Sequence, residues 1–438
     1  MPKISLYVFS NDLRIADNPG LCEASSGSAQ LLCIYCHSQT SRLGLSRSPG
    51  RLSHVRRQFL RESLDNLRLN LKQFDQRLIE VRSSVEETIK QFVKQYGITH
   101  IYRSQNSGWF ECQQWNVIAK QLPHVNFRAC SSHTIFSECD LPFSLDNLPP
   151  TFSKFRREVE KLVISKPINP PSYLPGAPEG SEIWQDSEIT GGTEGGSTDF
   201  VGGEDMGVCH LQQYFNSRHA SSYKQTRNGL DGMYYSTKLS PWLANGSLSV
   251  KTVIARLQQY ESDIGSNDST YWILFELLWR EYFHWYARRF REKVFTFGGI
   301  NDNKPSTSYY PERFRKWCQG NTPFPLINAF MNQLNETGYM SNRGRQLVAS
   351  CFVHELNLDW RYGASYMESH LIDYDVASNW GNWQYLAGVG ADARGHRKFN
   401  IDKQASTYDP NGEFVRRWAK KDYLENLDSV DASDWPVE

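Results

Sequence analysis

The segment from Asn342 to Tyr385 combines side-chain types that a plain helical core would not need. It begins with amide and guanidinium groups, continues with two acids one residue apart, Asp373 and Asp375, and ends in aromatic residues. The polar groups could hydrogen-bond a heteroaromatic cofactor, and the neighbouring rings could carry an electron. One acid could pair with Arg345 while the other meets the polar edge of a ring; a purely structural ion pair is the alternative.

A second candidate site lies on a helix that the apolar periodicity predicts over residues 269–291. Glu276, Trp279, Arg280 and Phe283 recur at helical spacing and therefore share one face. A flat ligand stacked on Trp279 and hydrogen-bonded by Glu276 would use that whole face. Equally, Glu276 and Arg280 could form a salt bridge across one helical turn, worth only about 0.2–0.5 kcal/mol.

A third candidate is the pentapeptide Thr237-Lys238-Leu239-Ser240-Pro241. Ser240 followed by Pro241 predicts a helix start, with the serine as N-cap and the proline as first helical residue. The exposed amides and hydroxyls of such a start suit a phosphate or pyrophosphate. An ordinary capped helix explains the same motif.

Scattered basic residues form the fourth set, and in a nearly neutral protein they are usually solvated surface. They are Arg227, Arg343, Arg397, Lys398 and Lys403. The formal net charge is +0 and the pI is about 7.2, which argues against a general polyanion-binding protein. These residues could neutralise phosphates only if the fold brings them to one rim.

Length and composition set wider limits. The 438 residues predict two or three domains. Nine scattered cysteines fit a reducing compartment better than a disulfide framework. The polar residues soon after Met1 argue against a signal peptide, and no long apolar run predicts a membrane span, so we expect a cytoplasmic protein. Cys33, Cys36 and His37 have the spacing of a haem attachment motif but lie in an expected buried strand, so we predict no metal.

The chain divides into three regions by its predicted elements. Up to residue 130, strands alternate with helices, which predicts a doubly wound parallel α/β sheet, although no dinucleotide-binding glycine motif follows a strand. Residues 131–205 are rich in Pro, Gly and Ser and predict a linker with one helix, and residues 206–438 predict an all-helical domain. The expected strands cover residues 4–10, 31–36, 78–81, 100–103 and 126–130, and the expected helices cover 51–74, 85–96, 111–121, 154–163, 208–223, 250–260, 269–291, 311–319, 325–337, 342–355 and 360–372.

Taken together, these motifs resemble the photolyase/cryptochrome family over nearly the whole chain. The resemblance is carried by residues 9–14 and 17–19, residues 152–156, and above all residues 342–385 with their continuations at 398–400 and 412–414. Within the family, residues 202–204, 271–280 and 342–346 and the terminal Tyr385 are most similar to the DASH cryptochromes.

The resemblance implies a U-shaped FAD buried in the helical domain. The residues implied as cofactor contacts are Tyr223, Thr237, Lys238, Leu239, Ser240, Glu276, Arg280, Asn342, Arg345, Asp373, Asp375 and Asn379. Asn379 would sit by the flavin N5, where an amide can serve either protonation state. An electron-transfer ladder reaching the protein surface is implied for Trp383, Trp360 and Trp317, although core filling explains each tryptophan taken singly.

The implied reaction is light-driven repair of cyclobutane pyrimidine dimers by reduced FAD, as in a deoxyribodipyrimidine photolyase. Glu276 and Trp279 would bond and stack the dimer, and Arg227, Arg343, Gln346, Tyr385, Arg397 and Lys398 would contact nucleic acid. Relatives that repair duplex DNA carry Trp and Met where this chain has Tyr385 and Gln346. A pocket that is smaller and more polar repays less of the cost of flipping the lesion out of the stack. We therefore expect a preference for single-stranded DNA and weak action on duplex DNA or RNA. We also expect the protein to be a monomer.

Glu111 aligns with the acid that binds a folate antenna in the family, which implies 5,10-methenyltetrahydrofolate in the first domain. Its neighbour Phe110 departs from the polar residue that is usual there. A blue-light receptor with little repair activity is the alternative function. Repair of (6-4) lesions would need a pair of histidines in the substrate pocket, and the sequence shows none near Trp279 or Tyr385.

Overall fold

The computed structural model describes residues 2–37, 52–184, 198–391, 398–419 and 427–428. Within these ranges, none of the helices combines the length and the apolar character needed to cross a membrane. Arg397, one of the residues expected to bind nucleic acid, lies outside the described residues.

The first part of the chain forms a five-stranded parallel sheet in the order β3-β2-β1-β4-β5. The strands are β1 (Ile4–Phe9), β2 (Gln30–Cys36), β3 (Leu78–Val81), β4 (His100–Ser104) and β5 (Asn126–Cys130), and the helices are α1 (Pro19–Ser25), α2 (His54–Lys72), α3 (Val85–Tyr96) and α4 (Trp109–Gln121). Apolar clusters lie on both faces of the sheet, as the apolar runs in β1 and β2 require. The predicted α/β sheet is confirmed; the sequence pattern missed the short helix α1.

The described part of the linker contributes one α-helix, α5 (Phe152–Val159), which begins and ends earlier than the pattern predicted. Phe152, Phe155 and Val159 are buried in the core of the helical region, whereas Val163 is 94% exposed. The helix therefore ends where its apolar face loses contact with the core.

The remainder of the described chain is helical, and most predicted helices agree with it to within a few residues. The helices are α6 (Glu204–Asn216), α7 (Tyr223–Thr226), α8 (Ser240–Asn245), α9 (Val250–Ile264), α10 (Asp268–Phe290), α11 (Pro311–Gln319), α12 (Pro325–Thr337), α13 (Asn342–His354), α14 (Trp360–His370), α15 (Val376–Ala387), α16 (Ile401–Tyr408) and α17 (Glu413–Trp418). The single helix expected over 208–223 is wrong, because the backbone at Arg218 adopts φ = 63° and separates α6 from α7.

The sheet and the helices are joined tightly. The buried Arg14 guanidinium donates hydrogen bonds to the carbonyl oxygens of Gly246 (2.8 Å) and Ser132 (2.9 Å). The Glu204 carboxylate accepts from the backbone amides of Ile15 (2.8 Å) and Ala16 (2.9 Å). Gly246 has φ = 72°, and a Cβ there would lie 1.8 Å from the Asn11 carbonyl oxygen. Only glycine permits this close approach, which positions α8 against the end of β1.

Candidate functional site

A cavity of about 210 Å³ lies where α13, α14 and α15 meet the start of α8. Its lining residues are Ser240, Tyr339, Met340, Asn342, Arg345, Gln346, Ala349, Met367, Leu371, Asp373, Tyr374, Asp375, Ser378, Asn379, Asn382, Trp383 and Leu386. The wall combines charged and amide groups with apolar side chains. Such a lining suits a largely apolar ligand that also carries several hydrogen-bonding groups.

One wall of the cavity is formed by a face of α15 together with Asp375, the residue that caps the start of this helix. Ser378, Asn379 and Asn382 follow at helical spacing and line the cavity with it. The sequence pattern missed α15 because its residues are buried on nearly all sides, so no alternation of apolar and polar positions marks it. The spacing from Asp375 onward was the signal that could have identified Ser378 and Asn382.

The Arg345–Asp373 ion pair predicted from the sequence is present. The Arg345 Nη2 atom lies 2.9 and 2.7 Å from the two carboxylate oxygens of Asp373, and the Arg345 Nε donates to the Met340 carbonyl oxygen at 2.9 Å. Burial lowers the pKa of Arg345, but the adjacent Asp373 carboxylate outweighs this and raises it. Arg345 therefore stays a cation at the cavity wall.

Ser240 does not cap α8 as predicted. The helix begins at Ser240 itself, with Leu239 in the capping position and no side-chain cap. The Ser240 hydroxyl instead donates to Asp373 Oδ2 at 2.6 Å. A hydrogen bond that the hydroxyl donates to a charged carboxylate is stronger than one that it accepts from a helix amide. This explains why Ser240 binds Asp373 and does not cap the helix. Phosphate binding at this helix start stays a prediction.

Lys238 is buried beside the cavity in the left-handed backbone region, with φ = 55°. Its Nζ atom lies 3.7 Å from the Tyr235 ring centroid and 4.3 Å from that of Tyr339, a lining residue. Burial, helped by the nearby Arg345 charge, lowers the pKa of Lys238 to about 7. The other expected contacts in this region, Tyr223, Thr237 and Leu239, are not among the residues that line the cavity.

Asp375 is held at two points. Its Oδ1 accepts from the Ser378 amide at 2.7 Å, and its Oδ2 lies 3.2 Å from His284 Nε2. Burial alone would raise the pKa of Asp375, but His284 and the Arg280 guanidinium outweigh burial and hold it well below its usual range. Asp375 is therefore an ionised acceptor in the wall of the cavity.

Arg280 and Asn379 are each anchored by backbone. Arg280 donates to the carbonyl oxygens of His133 at 2.5 Å and Leu243 at 3.3 Å, so it does not pair with Glu276 as one reading of the helix face required. The Asn379 amide nitrogen donates to the Ala364 carbonyl oxygen at 3.1 Å. Local spacing allowed a salt bridge within α10, but Arg280 instead donates to carbonyl groups of neighbouring segments.

A second cluster lies on the more exposed side of α10 and does not line the cavity. Its members are Arg227, Trp272, Glu276, Trp279 and Tyr385. Arg227 forms an ion pair with Glu276 and stacks over the Trp272 ring at 4.5 Å. Burial raises the pKa of Glu276, and Arg227 opposes this shift. Trp279 stacks on Phe152 of the linker helix at 3.8 Å, with 14° between the rings, and meets Tyr385 edge-on at 5.9 Å.

The basic residues are only partly brought together. Arg343 Nη2 donates to the Asn228 side chain at 3.1 Å, which places it beside Arg227. Lys398 instead pairs with Glu355 at 3.2 Å, just past the opposite end of α13. At 1.5 Å per residue, this is about 18 Å along the helix axis from Arg343. Lys403 is exposed on α16. Arg227 and Arg343 therefore form the basic edge of the second cluster, whereas Gln346, one turn further along α13, lines the cavity.

The three ladder tryptophans are all buried, and Trp383 lines the cavity. The Trp317 ring lies 6.3 Å from that of Trp383. Gly363, on the same helix as Trp360, touches Trp383 so closely that a Cβ would lie 2.3 Å from the indole. The expectation that this ladder ends at the surface is wrong for these residues, because Trp317 and Trp360 are both 0% exposed.

Glu111 lies in the first turn of α4, with its carboxylate folded back over Gly108. A Cβ at Gly108 would lie 2.1 Å from Glu111 Oε2. The neighbouring Phe110 packs against Phe295 of the helical region at 5.0 Å. The non-polar residue at position 110 thus serves contact between the two parts of the chain, and the antenna role of Glu111 stays a prediction.

Comparison with known proteins identifies the family. Residues 5–172 match the family model described as DNA photolyase, and residues 272–432 match that of the FAD binding domain of DNA photolyase. Curated relatives named Cryptochrome DASH are 49% identical in Idiomarina loihiensis and 50% identical in Vibrio parahaemolyticus, each over 99% of this chain and 97% of the relative. The crystal structure of a cryptochrome from Synechocystis is 37% identical, with a TM-score of 0.86 over 95% of this chain and 89% of that one.

These matches cover the sheet and the helices α13, α14 and α15 at the cavity, whereas α8 lies between the two matched ranges. The region with the Arg345–Asp373 pair and α15 falls within an FAD-binding domain, which makes FAD the cofactor of this chain. The chain belongs to the photolyase/cryptochrome family and, within it, to the DASH cryptochromes.

Proposed function

We propose that this protein holds FAD in the cavity between α13, α14 and α15 and repairs cyclobutane pyrimidine dimers, preferentially in single-stranded DNA. The observation that supports it best is one cavity lined by Arg345, Asp373, Asp375, Asn379 and the indole of Trp383. The chemistry that FAD supplies when bound is light-driven donation of an electron to the dimer, with return of the electron once the ring has opened.

The donors and acceptors of the cavity fit a flavin. Arg345 offers N–H groups beside the ionised Asp375 acceptor, and Asn379 offers an amide that can donate or accept. Apolar side chains such as Met367 and Leu386 complete the lining and suit a flat ring system. In this proposal Trp383 and Trp317, whose rings are 6.3 Å apart, carry electrons to the cavity together with Trp360.

The second cluster is the proposed lesion site. The Trp279 ring meets Tyr385, and Glu276 supplies a carboxylate that can accept an N–H group of a pyrimidine. In the described structure Glu276 is paired with Arg227, so the lesion has to share the carboxylate or displace the guanidinium. A displaced Arg227, next to Arg343, would face the phosphates of the strand.

The preference for single strands follows from the cost of extruding a dimer. Flipping a nucleotide out of the stack of a duplex costs a few kcal/mol, and flipping it out of a single strand costs much less. Tyr385 and Gln346 present a polar hydroxyl and amide where a larger apolar surface would repay more of that cost. We further propose that residues 1–130 form an antenna domain that binds a folate at Glu111, with 131–205 as linker and 206–438 as the FAD domain.

The test is repair of a thymine dimer in one oligonucleotide, presented as a single strand and as a matched duplex, by the reduced FAD-containing protein under blue light. We expect rapid loss of dimers from the single strand, slow loss from the duplex, and none in the dark. Glu276→Gln should reduce repair, whereas Glu261→Gln, an equal charge change on α9 at a residue that does not line the cavity, should not. Equal rates on both substrates would refute the strand preference.

Absence of repair, with FAD bound and reduced, would refute the enzymatic proposal and favour a blue-light receptor. The antenna is tested separately, by the absorption spectrum of the protein isolated with its chromophores. A folate band that is lost in Glu111→Gln supports the antenna site, and a spectrum with flavin bands alone after incubation with the folate contradicts it.

A further inference from the structure

We propose that His284 is a positioning residue for Asp375, and that Ser107 in the α/β part of the chain selects the tautomer of His284 that allows this. The inference rests on the proposed function, because its consequence is felt by FAD in the cavity. It assigns a role to three groups that lie in a row across the junction between the sheet-containing part and the helical part.

The row is defined by two short contacts. His284, 3% exposed on α10, places Nδ1 2.8 Å from the Ser107 hydroxyl oxygen and Nε2 3.2 Å from Asp375 Oδ2. Among the described residues, Nε2 has no hydrogen-bond partner apart from this carboxylate. Ser107 lies in the loop between β4 and α4 and is itself buried.

The charge on Asp375 decides which tautomer fits. An ionised carboxylate only accepts hydrogen bonds, so Nε2 must carry the proton that faces it. In a neutral imidazole, Nδ1 is then an acceptor, and the Ser107 hydroxyl is the donor that satisfies it. The opposite tautomer would turn a lone pair towards the carboxylate, which repels it.

A second buried histidine, His133, lies beside His284. The His133 ring stacks parallel to it, with 6.1 Å between centroids and 11° between planes. Burial, together with His284 and Arg280, lowers the pKa of His133 well below its usual range, so its ring is neutral. The charged groups nearest the row are Arg280 and Glu281. His284 and the Arg280 guanidinium together hold the pKa of Asp375 well below its usual range, which keeps its carboxylate a hydrogen-bond acceptor.

The consequence concerns the cavity. Asp375 Oδ1 is held by the Ser378 amide, and His284 is the side chain that holds Oδ2. Without His284, the carboxylate would be free to rotate about its side-chain bonds. Ser107, which belongs to the α/β part, would then influence a wall of the FAD cavity without contacting it.

The first test is made on the wild-type FAD-containing protein by ¹⁵N NMR of the histidine rings, with His284→Gln used to assign the His284 signals. We expect a proton on Nε2 and a lone pair on Nδ1, and in Ser107→Ala a mixture of tautomers. A proton on Nδ1 in the wild type would overturn the inference. The measurement needs no catalytic activity, so it stands apart from the repair assay.

The second test compares FAD affinity and flavin midpoint potential among variants. His284→Phe removes both contacts and should weaken FAD binding about tenfold or more, as expected for losing a hydrogen bond to a charged group, and should shift the potential. His284→Gln can still donate and should recover most of both values. Ser107→Ala should shift the potential in the same direction, and adding it to His284→Phe should change nothing further.

The matched control is Ser249→Ala, which removes another hydroxyl between the two parts of the chain, one that donates to Asp17; neither residue lines the cavity. It is expected to alter stability alone. Variants at 284 and 107 with the affinity, spectrum and potential of the wild type would overturn the inference while leaving the proposed function intact. A wild-type protein that binds no FAD would instead refute the proposed function, and this inference with it.

Discussion

Replacement of Arg345 by methionine is the most direct perturbation of the cavity. The substitution keeps much of the side-chain volume but removes the cation from Asp373, whose side chain is 2% exposed. Asp373 would then retain only the Ser240 hydroxyl among its present side-chain partners. An uncompensated charge in a buried position is costly because protein groups replace water poorly around it.

The magnitude can be worked out from the geometry. Removing one partner of a buried ion pair usually costs about 3–5 kcal/mol. The Arg345 side chain is 25% exposed, so water can partly replace it, and we expect the lower end, about 3 kcal/mol. Asp373→Asn alone should cost less, because a neutral amide is easier to bury. The double variant should be more stable than the sum of the single effects predicts, by about 2 kcal/mol.

The assay is urea denaturation followed by tryptophan fluorescence, with the free energy of unfolding compared at identical FAD concentration. Lys398→Met is the matched control, since the Lys398–Glu355 pair is exposed, with 59% and 26% side-chain exposure, and is expected to contribute about 0–1 kcal/mol. If the effects of Arg345→Met and Asp373→Asn are additive within about 0.5 kcal/mol, the two side chains do not depend on one another and the reasoning is refuted.

Three further predictions follow from single contacts. Gly363→Ala should lower the free energy of unfolding by about 1–3 kcal/mol, because its Cβ would lie 2.3 Å from the Trp383 indole, and fluorescence-monitored denaturation should show the change. The pKa of Lys238 is lowered to about 7 in the folded protein, so the unfolded chain binds more protons than the folded one between pH 7 and about 10. The free energy of unfolding should therefore rise with pH over that window. Lys238→Met should remove this slope in urea titrations at several pH values. Tyr385→Trp together with Gln346→Met should raise the ratio of duplex to single-strand repair in the paired assay, and an unchanged ratio would contradict the explanation of strand preference.

The sequence by itself determined the parallel sheet, most helices and the family. Apolar runs bounded by turns predict buried strands, and period-3.6 patterns predict helices, because both signals depend on neighbours in the chain. It also paired Arg345 with an acid correctly. It missed α15, since a helix buried on nearly all sides has no polar stripe to show its period.

The tertiary structure decided which polar groups meet. Helical spacing allowed a pair between Glu276 and Arg280, whereas the folded chain gives Glu276 the guanidinium of Arg227. Ser240 binds Asp373 across 133 residues, and Ser107 meets His284 across 177. A local pattern shows which residues share a face of a helix, but the partner across that face depends on which distant element packs there. The stretch from Asn342 to Tyr385 therefore indicated what chemistry to expect, and packing set the atoms that hold it in place.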